Sequence, residues 1–358
     1  MSPAGPLARY AAVLALVAAA VVLVPVGTTG FARGAALNSG LPNLRYHPWV
    51  NVSSTVAPTP RQGYSMAFDP ALGVTVLFGG QDTLGRALGD TWELSGGHWK
   101  SLSLAKSPSA RWAAGLVYNP QAKDLILFGG RLSGAGPSVN DTWKFTAHGW
   151  TQLALTHAPE PQGARTFVWD STDGYALLIG STPSAAGAPS VWTFSHGTWT
   201  NITSKVSSHL PLGLGWQAAA DDAHDGYVLY FGGEMGYCSG LAVTWAYAHG
   251  QFTNLTGSQQ AVPTAADGSA AMTYDGAVGG VVLQGGYTAS CKATGQTWLF
   301  YNGHWSNITA KVGASIPGRW DARMTYDSTA LHDVTFGGNE APLGGNNYFI
   351  ADTWTLRL

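Results

Sequence analysis

From Pro60 onward the apolar positions fall into short runs broken by Gly, Asp, Asn and Pro, the pattern of many brief strands joined by tight turns. The first stretch predicts four strands, Tyr64 to Phe68, Val74 to Phe78, Thr91 to Leu94 and Trp99 to Leu102, with Asp69-Pro70 and Gly96-Gly97 in the turns between them. Runs such as Leu125-Ile126-Leu127-Phe128 and Tyr227-Val228-Leu229-Tyr230-Phe231 are apolar at every position. A strand of that kind is covered on both faces.

The pattern recurs about every 50 residues. An apolar strand ends in a Gly pair at Gly79-Gly80, Gly129-Gly130, Gly232-Gly233, Gly285-Gly286 and Gly337-Gly338, and the third copy carries Gly180-Ser181 instead. Each copy then supplies a Trp, at Trp92, Trp143, Trp192, Trp245, Trp298 and Trp354, and a second aromatic follows at Trp99, Trp150, Trp199, Phe252 and Trp305. Four strands per repeat make a propeller blade. The sixth repeat stops at Leu358 without a fourth strand, whereas His47-Pro48-Trp49-Val50-Asn51-Val52-Ser53 matches the fourth-strand pattern of Trp199 to Thr203 and Trp305 to Thr309. The expected fold is therefore all-β, a six-bladed β-propeller of four antiparallel strands per blade, its last blade closed by the strand around His47 to Ser53 so that no sheet edge is left open. From roughly Arg61 to Leu358 these residues resemble the kelch repeat family, including the central domain of galactose oxidase. That resemblance implies the fold but not a function, because kelch propellers host sugar oxidases, sialic-acid mutarotases, actin-binding proteins and substrate adaptors alike.

The first 40 residues read differently. Arg9 precedes an uncharged apolar run from Tyr10 to Val26, followed by small and polar residues. This is an export segment, and both a cleaved signal peptide and a retained membrane anchor fit it. Residues 41–358 are then expected as a propeller outside the cytoplasm, secreted or anchored to the outer face of the cell membrane. Charged residues make up 11% of the chain and the formal net charge is −2, with no run of Lys or Arg to track phosphates, which speaks against a nucleic-acid partner.

The two cysteines, Cys238 and Cys291, each lie five residues after a Gly pair on adjacent blades. An oxidising compartment invites a disulfide between them, with two free thiols as the other reading. A galactose-oxidase-like copper site would need Tyr and His ligands that cannot be placed here, so no metal and no cofactor are expected. His98, His148, His196, His249 and His304 recur in the turn between third and fourth strands, and with His224 and His332 they read as solvated turn residues. A sialidase would show repeated Ser-x-Asp-x-Gly turns, of which Ser171-Thr172-Asp173-Gly174 is a poor fragment. Asp82, Glu234 and Glu340 follow Gly pairs and read as loop carboxylates.

Arg61, Arg111 and Arg319 each stand eight residues before the turn residue that closes a first strand, Asp69, Asn119 and Asp327. If first strands are innermost, three guanidiniums from neighbouring blades can converge on one channel mouth beside Trp112 and Trp320. Arg with aromatic faces there suits carboxylates, sialic acids or acidic peptides. The competing reading makes each Arg structural, tying strand ends together. Sequons occur at Asn51, Asn140, Asn201, Asn254 and Asn307 and are candidate N-glycosylation sites, although repeat duplication alone explains four of them. No catalytic set stands out. The expectation is a cell-surface or secreted binding module for a glycan, peptide or envelope partner, with an extracellular carbohydrate-active enzyme using the channel as the alternative.

Overall fold

The computed structural model describes residues 41, 44–133, 136–163, 166–181, 189–206, 217–233, 240–264, 269–313, 316–340 and 348–358. The expected export segment lies outside them. Among the described residues the chain forms six four-stranded antiparallel sheets, and the only helical piece is a single 3-10 turn at Thr256–Ser258.

Blade 1 consists of Ser65–Asp69, Val74–Gln81, Ala87–Ser95 and His98–Leu102, in that spatial order. Blades 2 to 5 repeat this meander, with first strands Gly115–Asn119, Thr166–Asp170, Ala218–Asp222 and Ala271–Asp275. Blade 6 contributes Arg323–Asp327, His332–Asn339 and Phe349–Leu356, and its fourth strand is Val50–Asn51 from the start of the domain, pairing Val50 with Thr355 and Asn51 with Trp354. Each first strand packs against the first strands of both neighbouring blades, blade 6 against blade 1 included, so the first strands are innermost and the ring is closed.

The core is six apolar slabs, one between each pair of blades. The all-apolar second strands follow from this. Leu125 and Leu127 enter the slab shared with blade 1, while Ile126 and Phe128 enter the slab shared with blade 3. Likewise Val228 and Tyr230 face blade 3, and Leu229 and Phe231 face blade 5. The strand alternates between two dry interfaces rather than between core and water.

The Gly pairs have a steric cause. Gly79 and Gly80 have φ of +67° and +105°, and a Cβ on Gly79 would stand 2.5 Å from the carbonyl oxygen of Arg111 in the next blade. That close approach lets the amide of Gly80 donate to Arg111 O at 2.9 Å, a bond between blades that recurs from Gly130 to Gln162 O and from Gly286 to Arg319 O. In blades 1 and 6 the pair also shifts the strand register.

A second inter-blade bond runs through the fourth strands. The indole N–H of Trp99, Trp150, Trp199, Trp305 and Trp49 donates to the hydroxyl of Thr353, Thr91, Thr142, Thr244 and Thr297 respectively, each at 2.9–3.0 Å. Between blades 3 and 4 the corresponding residues are Phe252 and Val191, which instead share an apolar slab.

Candidate functional site

Arg61, Arg111 and Arg319 stand just ahead of the first strands of blades 1, 2 and 6. Arg61 is fully buried, and its guanidinium grips both carboxylate oxygens of Asp90, at 2.7 and 2.8 Å, while Nη1 donates to Gly79 O and Nε to Thr59 O. Arg111 does the same with Asp141, Gly129 O and Ser109 O, and Arg319 with Asp352, Gly337 O and Pro317 O. The same carboxylates accept the indole N–H of Trp92, Trp143 and Trp354. Burial opposes ionisation of Asp90 and Asp141, yet the guanidinium fork and the indole outweigh it and hold both carboxyls below the usual value. Each guanidinium is thus turned into its own blade, joining the approach to the first strand with the second and third. The structure does not bring the three together at a mouth.

Trp112 and Trp320, one residue after two of these arginines, are half-buried. Trp112 Nε1 donates to Ser133 O and its ring lies under the guanidinium of Arg131, 5.6 Å from the centroid, while Trp320 packs on Tyr287 at 4.7 Å. Of the loop carboxylates, Asp82 pairs with Arg86 at 2.7 Å, Glu340 is raised by burial, and Glu234 lies outside the described residues. Cys291 is half-buried in the loop after the blade 5 Gly pair. Its expected partner Cys238 lies outside the described residues, and the bridge with it.

Of the seven turn histidines expected to be solvated, His304 and His332 are half-buried. His98, His148, His196 and His249 are exposed, and His249 Nδ1 lies 2.7 Å from Asp173 Oδ1 of the preceding blade. Among the described residues no cluster of metal-ligating side chains occurs. The five sequon asparagines are all exposed. In four of them the sequon ends the fourth strand: Asn51, Asn201, Asn254 and Asn307 accept the amide of the residue two further on. The sequon hydroxyl then accepts a third-strand amide, that of Thr353, Val191, Thr244 or Thr297. The Asn-x-Ser/Thr pattern therefore has a local structural use as a strand cap.

The channel opens differently at its other end, where the first strands turn back. A cavity of about 370 Å³ runs along the first strands, walled by their side chains, and reaches this end. The closing Asp or Asn of each first strand is nearly or fully buried in blades 1 to 5, and its Oδ1 caps the turn, as Asp69 does for Ala71 and Asp170 for Thr172. The residue just before that cap falls at one level around the ring: Phe68, Tyr118, Trp169, Asp221, Tyr274 and Tyr326. Two residues earlier stands an apolar tier of Met66, Leu116, Phe167, Ala219, Met272 and Met324. Five aromatic rings and one carboxylate thus form a collar at this mouth, with hydrophobic walls beneath it.

Asp221 Oδ1 accepts the amide of Ser171 from blade 3 at 3.2 Å, and burial raises its pKa. Tyr274 beside it is raised as well, first by burial and then by the charges of Asp222, Asp221 and Asp225. Arg323 also lines the cavity, from blade 6 and nearer the far end of its strand. This collar is not among the sites expected from the sequence. Its signal was available as the residue preceding the strand-closing Asp or Asn, aromatic in five repeats and acidic in one.

Fold and collar define a six-bladed propeller with an aromatic-ringed channel mouth. No protein-family profile matches the chain. Over 169 residues, 43% of this chain, it is 38% identical to human multiple epidermal growth factor-like domains protein 8, and over 112 residues, 30% of the chain, it is 38% identical to the rat protein of that name. The matched segments cover only 6% and 4% of those much longer proteins.

Proposed function

We propose that the chain is an exported kelch-type propeller acting as a cell-surface or secreted binding module, which receives part of a glycan, peptide or envelope partner at the collared mouth of its channel. The observation that carries this reading is the collar itself, five aromatic side chains and one carboxylate at one level of a cavity of about 370 Å³. Concave sites with aromatic walls and a few placed polar groups are the usual form of a ligand pocket. The likeness to a protein named for epidermal growth factor-like domains supports an extracellular setting, since such domains belong to oxidising compartments. The apolar run over Tyr10 to Val26 supports export, as a signal peptide or as an anchor that would attach the propeller to the membrane. The Gly pairs and their period support kelch kinship.

The test is a thermal-stabilisation and binding screen of the full chain in mild detergent against neutral and acidic glycans and short peptides, run beside Trp169→Ala. Ligands are expected to stabilise the native chain and to lose at least ten-fold in affinity in the variant. Equal binding by both proteins would remove the collar as the site. The enzyme reading draws on Asp221, the one carboxylate among the residues lining the cavity. Turnover of a bound glycan that vanishes in Asp221→Asn would favour it.

A further inference from the structure

Blade 4 breaks the symmetry of the channel mouth twice. In the collar it places Asp221 where the other blades place an aromatic ring, and in the tier beneath it places Ala219 where they place Met, Leu or Phe. That tier therefore carries its smallest side chain beneath a carboxylate, with Trp169 of blade 3 and Tyr274 of blade 5 at the same level on the neighbouring blades. The Ser171 amide fixes one oxygen of that carboxylate. Asp225 and Asp173 lie in the same sector, where His224, 43% exposed, stands 4.0 Å from Asp225 and His249, 66% exposed, stands 2.7 Å from Asp173. Arg323, the basic residue of the lining, sits on blade 6 three positions earlier in its strand, about 10 Å away along the strand direction alone.

A partly buried carboxylate between aromatic neighbours calls for a particular counter-ion. Hard metal ions need several oxygen donors, and this recess presents one carboxylate and two rings. An alkylammonium group needs one anion to neutralise it and π-faces to surround its methyl or methylene groups. We propose that the blade 4 recess binds an organic cation of this kind, an alkylammonium group seated against Asp221 between Trp169 and Tyr274. The inference rests on the reading of the collared mouth as the binding site and names the chemistry that site selects.

The experiment titrates the full chain with choline and with 3,3-dimethylbutan-1-ol, its neutral isostere, by calorimetry, in the native protein and in Asp221→Asn. Asn keeps the shape and removes a charge that burial disfavours, so the variant is expected to melt no lower than the native chain. Native protein is expected to prefer choline at least ten-fold, and Asp221→Asn to bind both alike. Trp169→Leu is expected to weaken choline several-fold while leaving the preference in place. Equal binding of the two probes by native protein, an undiminished preference in Asp221→Asn, or displacement of choline by calcium at lower concentration would each overturn the inference. If neutral glycans bind at the mouth and choline does not, the cation site fails and the binding-module reading stands. If no member of either panel binds, both fall.

Discussion

At the scale of single residues the frame and the site use opposite kinds of charge. Arg61, Arg111 and Arg319 are cations each gripped by a carboxylate of its own blade, whereas Asp221 is a carboxyl group at the edge of a cavity. Removing a buried arginine strands its carboxylate. Arg111→Ala leaves Asp141 without its fork, and a loss of about 3–5 kcal/mol is expected in denaturant unfolding. Arg111→Lys should recover only part of it, because a point charge cannot bridge two oxygens and also reach Gly129 O. A loss below about 1 kcal/mol in Arg111→Ala would contradict the fork's structural role. The recurrence of Arg at fixed spacing was legible in the sequence, and so was its partner: the three blades with the Arg are those in which Asp-Thr-Trp recurs, at Asp90, Asp141 and Asp352. What spacing could not reveal is the direction of each side chain. Whether a guanidinium faces a channel or its own sheet depends on loops that a one-dimensional pattern does not place.

At the scale of elements, blades are joined by pairs that change together. The indole-to-threonine bond ties five of the six interfaces. Where Phe252 replaces the indole, Val191 replaces the hydroxyl, so neither polar group is left behind in the slab. Phe252→Trp alone would bury an N–H against Val191 as well as a larger ring, and about 1–3 kcal/mol of destabilisation is expected. Adding Val191→Thr should return much of that loss, a coupling that a double-mutant cycle measures. Strict additivity of the two changes would show that the bond contributes nothing at this position. The Trp repeat was evident in the sequence, but its partner in the neighbouring blade was not, since Trp150 and Thr91 are 59 residues apart and Trp99 and Thr353 are 254 apart. The sequons show the same limit from the other side. A motif read for glycosylation proves to end a strand, because Asn and Thr cap backbone whether or not a glycan is added.

At the scale of the whole molecule, closure was the most legible feature: a last repeat short of one strand and an orphan strand pattern at the other end determine one another. Val50–Asn51 covers the third strand of blade 6 while Trp49 bonds to Thr297 of blade 5. A chain lacking His47 to Ser53 should therefore expose a sheet edge, melt lower and self-associate, as light scattering would detect. The collar was less legible because it exists only when six separate repeats are laid at one level. Closing the ring also forces polar caps inward, and this sets the pH response. Burial raises Asp69, Asp275 and the fully buried Asp333, and it raises Asp170 to about 7 and Asp222 to about 8. In the unfolded chain these groups release their protons near pH 4, whereas in the folded protein burial delays the release, for Asp170 until about pH 7 and for Asp222 until about pH 8. Between those limits unfolding releases protons, so stability falls as pH rises and levels off only once the folded-state groups have ionised. Asp82, Asp90 and Asp141, held below the usual value, act in the opposite sense, and their contribution is lost only as pH drops through the lower acid range. The melting temperature is therefore expected to peak in mild acid, at about pH 4 to 5, and to decline toward pH 8. Asp222→Asn, which cannot ionise, should flatten that decline. A melting temperature that climbs steadily from pH 5 to 8 would mean that the buried turn carboxyls are ionised in the folded protein after all.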